Sequence, residues 1–404
     1  MRIVIAPDKF KGSLTASAVI RHLAAGIRSV DTGIQVIGVP VADGGEGTLD
    51  AALARGYTGR TIPVTGPTGQ TLDADFAVHG TTAVIEMAAA SGLAVLPGGV
   101  PDARRATSRG TGELVREALD LGCIDIILAI GGSASTDGGA GLLSALGARF
   151  TDADGAVLPD GGAALARLAH ADLSALDPRL RAARLTLASD VDNPLLGPEG
   201  AARVFAPQKG ATAADVDTLE HALVTFARVL TDTIGPEADS GTRAPGAGAA
   251  GGVGYAATTV LGAHRQPGIE VVMDLTGLPE LIAGADLVVT GEGSLDEQSL
   301  RGKAPLGVGR AAREAGVPVI AVCGRTTLTE RQLRQAGFDA VFALTDYEPD
   351  VAVCIRDAGI LLERIGALIP PRLAGISAAA AATPAATAAS GRGRPTLRRR
   401  TSRP

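Results

Sequence analysis

The chain has 404 residues, 46% of them apolar, 2% aromatic and none Trp, and 37 Lys plus Arg stand against 43 Asp plus Glu for a formal net charge of −6. That length and apolar content exclude a disordered protein and predict two cores, because single cores stop growing at roughly 250–300 residues. Negative charge with few aromatic platforms argues against nucleic-acid binding, and three scattered cysteines, Cys123, Cys323 and Cys354, make neither a disulfide framework nor a CxxC metal site.

No uncharged apolar run approaches the roughly 18 residues of a membrane span, and Asp8 and Lys9 interrupt the first apolar stretch before a signal peptide develops. A cytoplasmic protein without membrane contact is expected. In chain order, an aliphatic run at 2–6 predicts a strand buried on both faces. A helix over 13–30 follows, with Ser13 placed to cap it, and a second strand at 35–41 completes a right-handed βαβ unit. Further strands are predicted at 83–87, 125–130 and 185–188, then a helix over 212–230. Near the C-terminus a strand at 286–290, a helix over 304–315 and strands at 318–322 and 340–344 repeat the opening arrangement. Both ends therefore look like parts of one α/β domain, with a second α/β domain inserted between them. The boundaries read as 1–63 plus 285–373 for the outer domain and 64–284 for the insert. Residues 377–404 are rich in Ala, Thr and Pro, then carry six Arg and no acid, and are expected to be a disordered low-complexity tail.

Only four of the 37 basic residues are lysines, Lys9, Lys11, Lys209 and Lys303, and three of them adjoin Gly. An ammonium beside a permissive backbone suits an anion bound by charge and amides together. Several polar, Gly-rich segments lie where predicted strands end, the edge at which open α/β sheets bind ligands. PDKFKGSL (7–14) puts Lys9, Lys11 and Ser13 at a helix start, which is either an anion site or a solvated basic turn. ADGGEGT (42–48) carries Asp43 and Glu46, suited to water-bound Mg²⁺ or substrate hydroxyls, although Asp43 could instead cap a following helix. GGSASTDGGAG (131–141) offers Gly131, Gly132, Ser133, Ser135, Gly138 and Gly139 as a phosphate nest, with Asp137 as its carboxylate; a plain Gly-rich turn is the alternative. SDVDNPL (189–195) places Asp190 at a strand end and FAPQKGA (205–211) brings Lys209, a carboxylate and an ammonium able to serve a hydroxyl and a transferring phosphoryl group, although Asp190 could equally hold Mg²⁺ or simply stabilise a turn. GEGSLDEQS (291–299) adds Glu292, Asp296 and Gln298, which are either hydrogen-bonding groups for a sugar or small acid or part of a solvated polar loop.

No P-loop occurs, and the G-x-G-x-x-G at 246–251 follows TRAP rather than a strand, so it fails the dinucleotide context. None of the five His lies in these segments, which disfavours His-based hydrolysis and zinc. Carboxylates, lysines and amides without soft ligands favour phosphoryl transfer with Mg²⁺.

Taken together, the segments resemble the type 1 glycerate kinase family, through APDKFKGSL (6–14), ADGGEGT (42–48), TSRGTGELV (107–115), GGSASTDGGAG (131–141), SDVDNPLLGPEGA (189–201), FAPQKGA (205–211), GAGAAGGVG (246–254) and TGEGSLDEQSLRGKAP (290–305). Ser135 and Thr136 stand where Thr and Asn are more usual. The resemblance implies ATP-dependent phosphorylation of D-glycerate, 2-phosphoglycerate being favoured over 3-phosphoglycerate, by a monomer or homodimer. It also implies a discontinuous Rossmann-like (flavodoxin-like) parallel-sheet domain with an inserted α/β domain and an active site in the cleft between them. On that basis Asp190 is expected as general base or hydroxyl-orienting group, with Asp137 and Asp43 competing for that role and all three as Mg²⁺ ligands. Lys9, Lys11 and Lys209 are expected on the substrate carboxylate and transferring phosphate, Ser13 beside them, and Glu292 with Gln298 on the substrate hydroxyls. Kinases of other small hydroxy acids, a dinucleotide-dependent oxidoreductase and a ligand sensor using the Arg-rich tail are the competing readings.

Overall fold

A computed structural model describes residues 1–297, 299–301 and 303–382. Among them, two parallel-stranded sheets organise the molecule. The first contains β1 (Arg2–Pro7), β2 (Gln35–Gly38), β11 (Leu287–Leu295), β12 (Val319–Thr326) and β13 (Ala340–Ala343) in the order β13-β12-β11-β1-β2. All its pairings are parallel. Counted along the chain within this sheet, the order is 2-1-3-4-5, the flavodoxin-like arrangement.

Strand periodicity explains why this sheet is covered on both faces. Ile3 and Ile5 of β1 point into a core with Val289, Ile320 and Val322, roofed by the helices Ala16–Val30 and Ala358–Ala382. Val4 and Ala6 point the other way, against Val288, Val319 and the helices Gly268–Thr276 and Ala304–Glu314. The first two helices cross closely: a Cβ on Gly26 would lie 2.0 Å from the Glu363 carbonyl oxygen, so only glycine permits the approach. The cap of the first is Thr15, whose Oγ1 accepts the Ala18 N–H, and not Ser13. Ser13 lies outside the helix and donates to the Ile355 carbonyl at 2.7 Å.

The second sheet holds β3 (Thr58–Thr65), β4 (Thr71–His79), β5 (Thr82–Glu86), β6 (Asp125–Ala129), β9 (Arg184–Ala188) and β10 (His264–Gln266), in the order β10-β9-β6-β5-β4-β3. Its β10 to β5 members are parallel, and β4 and β3 add on antiparallel. A separate antiparallel pair joins β7 (Arg149–Thr151) to β8 (His170–Asp172). The long helix Ala213–Ile234, closed by a Thr212–Asp215 capping box, buries Leu219, Leu223, Phe226 and Leu230 against this domain's core.

Three expectations need correction. The boundary at 63/64 cuts β3, which pairs along its whole length with β4 and so belongs to the second sheet. The boundary at 284/285 is late, because Ile269, Val272, Met273, Leu278 and Ile282 all pack into the first sheet's core. Residues 377–382, assigned to the tail, continue the helix Ala358–Ala382, as their Ala-rich sequence favours. The rest of the tail lies outside the described residues. Among the described residues no helix is long and apolar enough to cross a membrane, and all three cysteines are free and buried.

Candidate active site

A cavity of about 620 Å³ opens at the C-terminal ends of β1, β11, β12 and β13, and the loop after β6 of the second sheet closes one side. It therefore lies at the switch point of the first sheet, between β1 and β11, where the chain direction across the sheet reverses. Where the two sheets meet at the cavity, glycine backbone lies against glycine backbone. The Gly131 N–H donates to the Gly44 carbonyl at 3.4 Å, and a Cβ on Gly131 would fall 2.6 Å from the Gly45 Cα. On the other side of the same loop, a Cβ on Gly268 would fall 2.1 Å from the Asp43 carbonyl oxygen. The residues 43–45 are thus clasped between the segment after β6 and the helix Gly268–Thr276.

Four cations line the cavity: Lys9, Lys11, Lys303 and Arg325. The Lys9 Nζ donates to the Glu46 carboxylate at 2.6 Å and to its carbonyl at 3.1 Å, tying the loop after β1 to the loop after β2. That ammonium holds the Glu46 carboxyl below its ordinary range. Arg325 touches only the Ser294 hydroxyl, Nε to Oγ 3.4 Å, among the hydrogen bonds of the described residues.

Opposite them is a carboxylate group centred on Asp43. Asp8, Asp43 and Glu292 line the cavity; Asp190, expected to act there, lies two residues beyond β9 and is not among the lining residues. Burial pushes Asp8 up to about 7, and the Asp43 charge adds to the shift. Burial likewise pushes Asp190 up to about 7, with Asp43 again opposing its ionisation. Glu292 is raised chiefly by burial, with Asp43 and Asp296 acting in the same direction. Two oxygens in this cluster, Asp190 Oδ2 and Glu292 Oε1, are buried with no hydrogen-bond partner among the described residues. Unsatisfied buried oxygens are costly, so they mark places where a donor or cation is wanted. The other Asp190 oxygen accepts the Gly268 N–H at 2.7 Å.

The helix after ADGGEGT is Thr48–Ala54, and Glu86 rather than Asp43 satisfies its start, accepting the Gly47 and Leu49 N–H groups at 2.9 and 2.6 Å. Asp43 is therefore left facing the cavity.

Several expected residues turn away from it. Of the segment 131–141, only Gly131 and Gly132 reach the cavity. Asp137 is fully buried and accepts the Ser108 N–H and hydroxyl at 2.8 and 2.9 Å, together with the N–H groups of Gly139 and Gly141. Its carboxylate is committed to the TSRG turn and the following helix, so it is a scaffold group and not a metal ligand or base. Gly138 and Gly139 face inward, where Cβ atoms would meet Phe226 at 2.8 Å and Ala256 at 2.4 Å. Lys209 is 2% exposed and donates to the Ser133 hydroxyl and the Ser135 carbonyl at 2.8 and 2.5 Å. Burial brings its pKa down to about 7. Ser133 and Ser135 thus serve the loop's interior, and Lys209 braces the loop from beneath without reaching the cavity. The G-x-G-x-x-G segment packs on the same loop: a Cβ on Gly251 would lie 2.1 Å from the Ser135 carbonyl oxygen, which accounts for its glycines without a dinucleotide.

Of the expected site residues, Lys9, Lys11, Ser13, Asp43, Glu292, Gly131 and Gly132 line the cavity; Gln298 lies outside the described residues. Sequence reasoning did not single out Asp8 or Arg325, nor the wall built by Leu344, Thr345, Val351, Ile355 and Ala358. Asp8 carried a signal, being the first residue after a buried strand. The wall carried none, because its residues look like those of any amphipathic helix. Among the described residues no three metal-ligating side chains converge as a cage.

The model of the glycerate kinase family matches residues 3–372. A glycerate kinase from Bacillus subtilis (strain 168) is 45% identical over 368 residues, covering 90% of this chain and 95% of the relative. A glycerate 2-kinase from Escherichia coli (strain K12) is also 45% identical, over 85% of this chain and 90% of its own length. The crystal structure of a provisionally named glycerate kinase 2 from Salmonella typhimurium LT2 superposes with a TM-score of 0.80 at 39% identity, covering 94% of this chain and 99% of that one. Near-complete coverage at these identities, on a shared fold, leaves one assignment: the chain belongs to the glycerate kinase family of enzymes.

Proposed function

We propose that the enzyme transfers the γ-phosphoryl group of Mg·ATP to D-glycerate, giving 2-phosphoglycerate and ADP. The observation that carries this reading is the pairing, within one cavity, of four cations with the carboxylates Asp8, Asp43 and Glu292, next to an Asp190 oxygen that lacks a partner among the described residues. Cations on one side suit the polyphosphate and the substrate carboxylate, and carboxylates on the other suit a hydroxyl that must lose its proton. The name of the Escherichia coli relative, a glycerate 2-kinase, supports transfer to the 2-hydroxyl.

Hard oxygen donors without a three-residue cage fit Mg²⁺, which keeps several waters and is bound through one or two carboxylates plus substrate phosphates. Asp43 and Asp190 are the residues that would hold it, because Asp43 faces the cavity and Asp190 offers an unpartnered oxygen. When bound, the ion neutralises charge on the transferring phosphoryl group. Around it, Lys11, Lys303 and Arg325 bind the anionic groups, and Lys9 holds Glu46 and thereby the loop carrying Asp43. Gly131 and Gly132 leave room for backbone contact with phosphate. Asp190 or Asp43 orients the acceptor hydroxyl and accepts its proton late in the transfer, and Glu292 hydrogen-bonds a second hydroxyl.

The test is ADP release from Mg·ATP with D-glycerate, L-glycerate or no acceptor, with the product read by ³¹P NMR. Release that requires D-glycerate, and a phosphorus resonance coupled to one proton on C2, are the expected results. A resonance coupled to the two C3 protons would move the assignment to 3-phosphoglycerate. No release with either isomer would assign the cavity to another acceptor.

A further inference from the structure

A three-carbon acid fills a small part of a cavity of about 620 Å³, which lies in the range that encloses ligands several times larger. Its lining is also divided by chemistry. The carboxylates, Gly131, Lys303 and Arg325 form its polar part, and an apolar wall rises on the face of the sheet where the C-terminal helices pack beside Phe10 and Ser13. This wall consists of Leu344, which follows β13, and of Val351, Ile355 and Ala358 on the C-terminal helices. Val351 and Ile355 sit four residues apart on one face of the helix Val351–Arg356 and are 43% and 48% exposed, although Leu344 and Ala358 beside them are almost completely buried. Thr345 opens on the same wall, and its hydroxyl has no hydrogen bond within the described residues.

Resting on the phosphoryl-transfer reading above, we infer that the wall formed by Leu344, Val351, Ile355 and Ala358 holds the purine ring of the phosphoryl donor. The polyphosphate then runs back past Arg325 and Lys303 toward Asp43. A purine presents two flat apolar faces and a polar edge. Aliphatic side chains cover a face and exclude water from it, and Thr345 meets the edge with a group able both to donate and to accept. Arg325 is placed at the junction, where a planar guanidinium can pair with phosphate oxygens or lie along the ring. In a chain with 2% aromatic residues the face is aliphatic where other nucleotide sites stack aromatics. The wall is thus a binding surface distinct from the acid cluster, and it sets donor affinity without touching the reacting atoms.

The test replaces the two exposed contacts by neutral polar residues of smaller apolar area, Val351→Asn together with Ile355→Asn, so that no charge is added near the phosphates. The Ser13 bond is made to the Ile355 backbone and survives the change. Calorimetric affinity for a non-hydrolysable ATP analogue should fall about tenfold, the loss of two aliphatic contacts. The KM for D-glycerate should stay within about twofold, and inhibition by inorganic tripolyphosphate, which has the phosphates and no base, should be unchanged. If thermal melting shows that the double variant is compromised, Ile355→Ala is measured in its place, with the same ordering of effects expected. Unchanged analogue affinity would overturn the proposal, as would an equal loss for the analogue and for tripolyphosphate. Because affinity is read without turnover, a wild-type enzyme that binds the analogue but phosphorylates no glycerate would sink the functional reading and leave this one standing.

Discussion

Asp190 and Lys209 carry opposite charges, and both are taken out of water, but they answer to different tests. Asp190→Asn keeps an Oδ1 acceptor for the Gly268 N–H and removes only the charge and the proton-accepting oxygen. Turnover should fall about tenfold or more. Stability should move the other way. The carboxyl is raised from 3.8 to about 7 by burial, so between those values the folded chain retains a proton that the unfolded chain has released. Stability from this group is therefore full below about pH 4 and is lost as pH rises through 7. At pH 8 the Asn variant should melt no lower than the wild type while turning over more slowly. Near-wild-type turnover would remove Asp190 from the chemistry. For Lys209 the sign reverses. Its pKa falls from 10.5 to about 7, so between pH 7 and pH 10.5 the unfolded chain holds a proton that the folded chain has lost, and stability rises with pH across that window. Lys209→Met should flatten the rise in melting temperature between pH 7 and pH 10 relative to wild type. It also strips Ser133 and Ser135 of a donor, so it should melt below the wild type at pH 9. A melting curve in the variant parallel to wild type across that window would mean the ammonium is not buried as described.

At the scale of elements, the helix Ala213–Ile234 shows how local sequence closes an element before tertiary packing is considered. Thr212 and Asp215 satisfy each other's backbone N–H groups, and Thr212→Ala should cost about 1 kcal/mol in urea unfolding with turnover unaffected. A loss below about 0.3 kcal/mol would show that packing of Leu219, Leu223 and Phe226, and not the cap, fixes the helix start. Such features were legible in the sequence for a physical reason. Strands β1, β6, β11 and β12 are covered on both faces and so read as continuous aliphatic runs, and the Gly-rich loops after them announce the ligand edge. The antiparallel β3 and β4 are apolar on one face only, with Thr58, Arg60, Asp73 and Asp75 exposed, and a search for continuous runs passes over them. That omission shifted the domain boundary into β3. The loop 131–141 was readable as a loop, but which of its groups face the cavity was not. The inward turn of Ser133, Asp137 and Gly139 depends on Lys209, Ser108 and Ala256, which lie far along the chain. The apolar wall was unreadable because Val351 and Ile355 differ from ordinary helix residues only in what fails to cover them.

At the scale of the whole molecule, the two sheets present their ligand-binding edges to one another, and at the cavity they touch glycine to glycine. Gly45 and Gly131 make the tightest of these contacts, with Gly44 and Gly268 behind it, so backbone against backbone fixes the closest approach of the acid cluster and the loop after β6. Gly131 does not have a positive φ, so alanine is conformationally acceptable there and its only offence is its methyl group. That methyl would sit 2.6 Å from the Gly45 Cα, where carbon atoms normally rest at about 3.5–4.0 Å, so one domain edge must retreat by roughly an ångström. Apolar contacts also cross the seam, Val271 against Ala129 and Ala188, and Ala52 against Ala77 and Val84, and they hold the two sheets together while the stability cost stays near the roughly 1–3 kcal/mol of local overpacking. Catalysis is less tolerant, since a displacement of about 1 Å between reacting groups costs on the order of a hundredfold. Gly131→Ala should therefore lower kcat/KM for D-glycerate about a hundredfold while circular dichroism and gel filtration stay those of the wild type. Activity within twofold of wild type would mean that the two edges already move apart and together by that distance during turnover, and that the glycine contact is one stop in the motion and not the spacing at which phosphoryl transfer occurs.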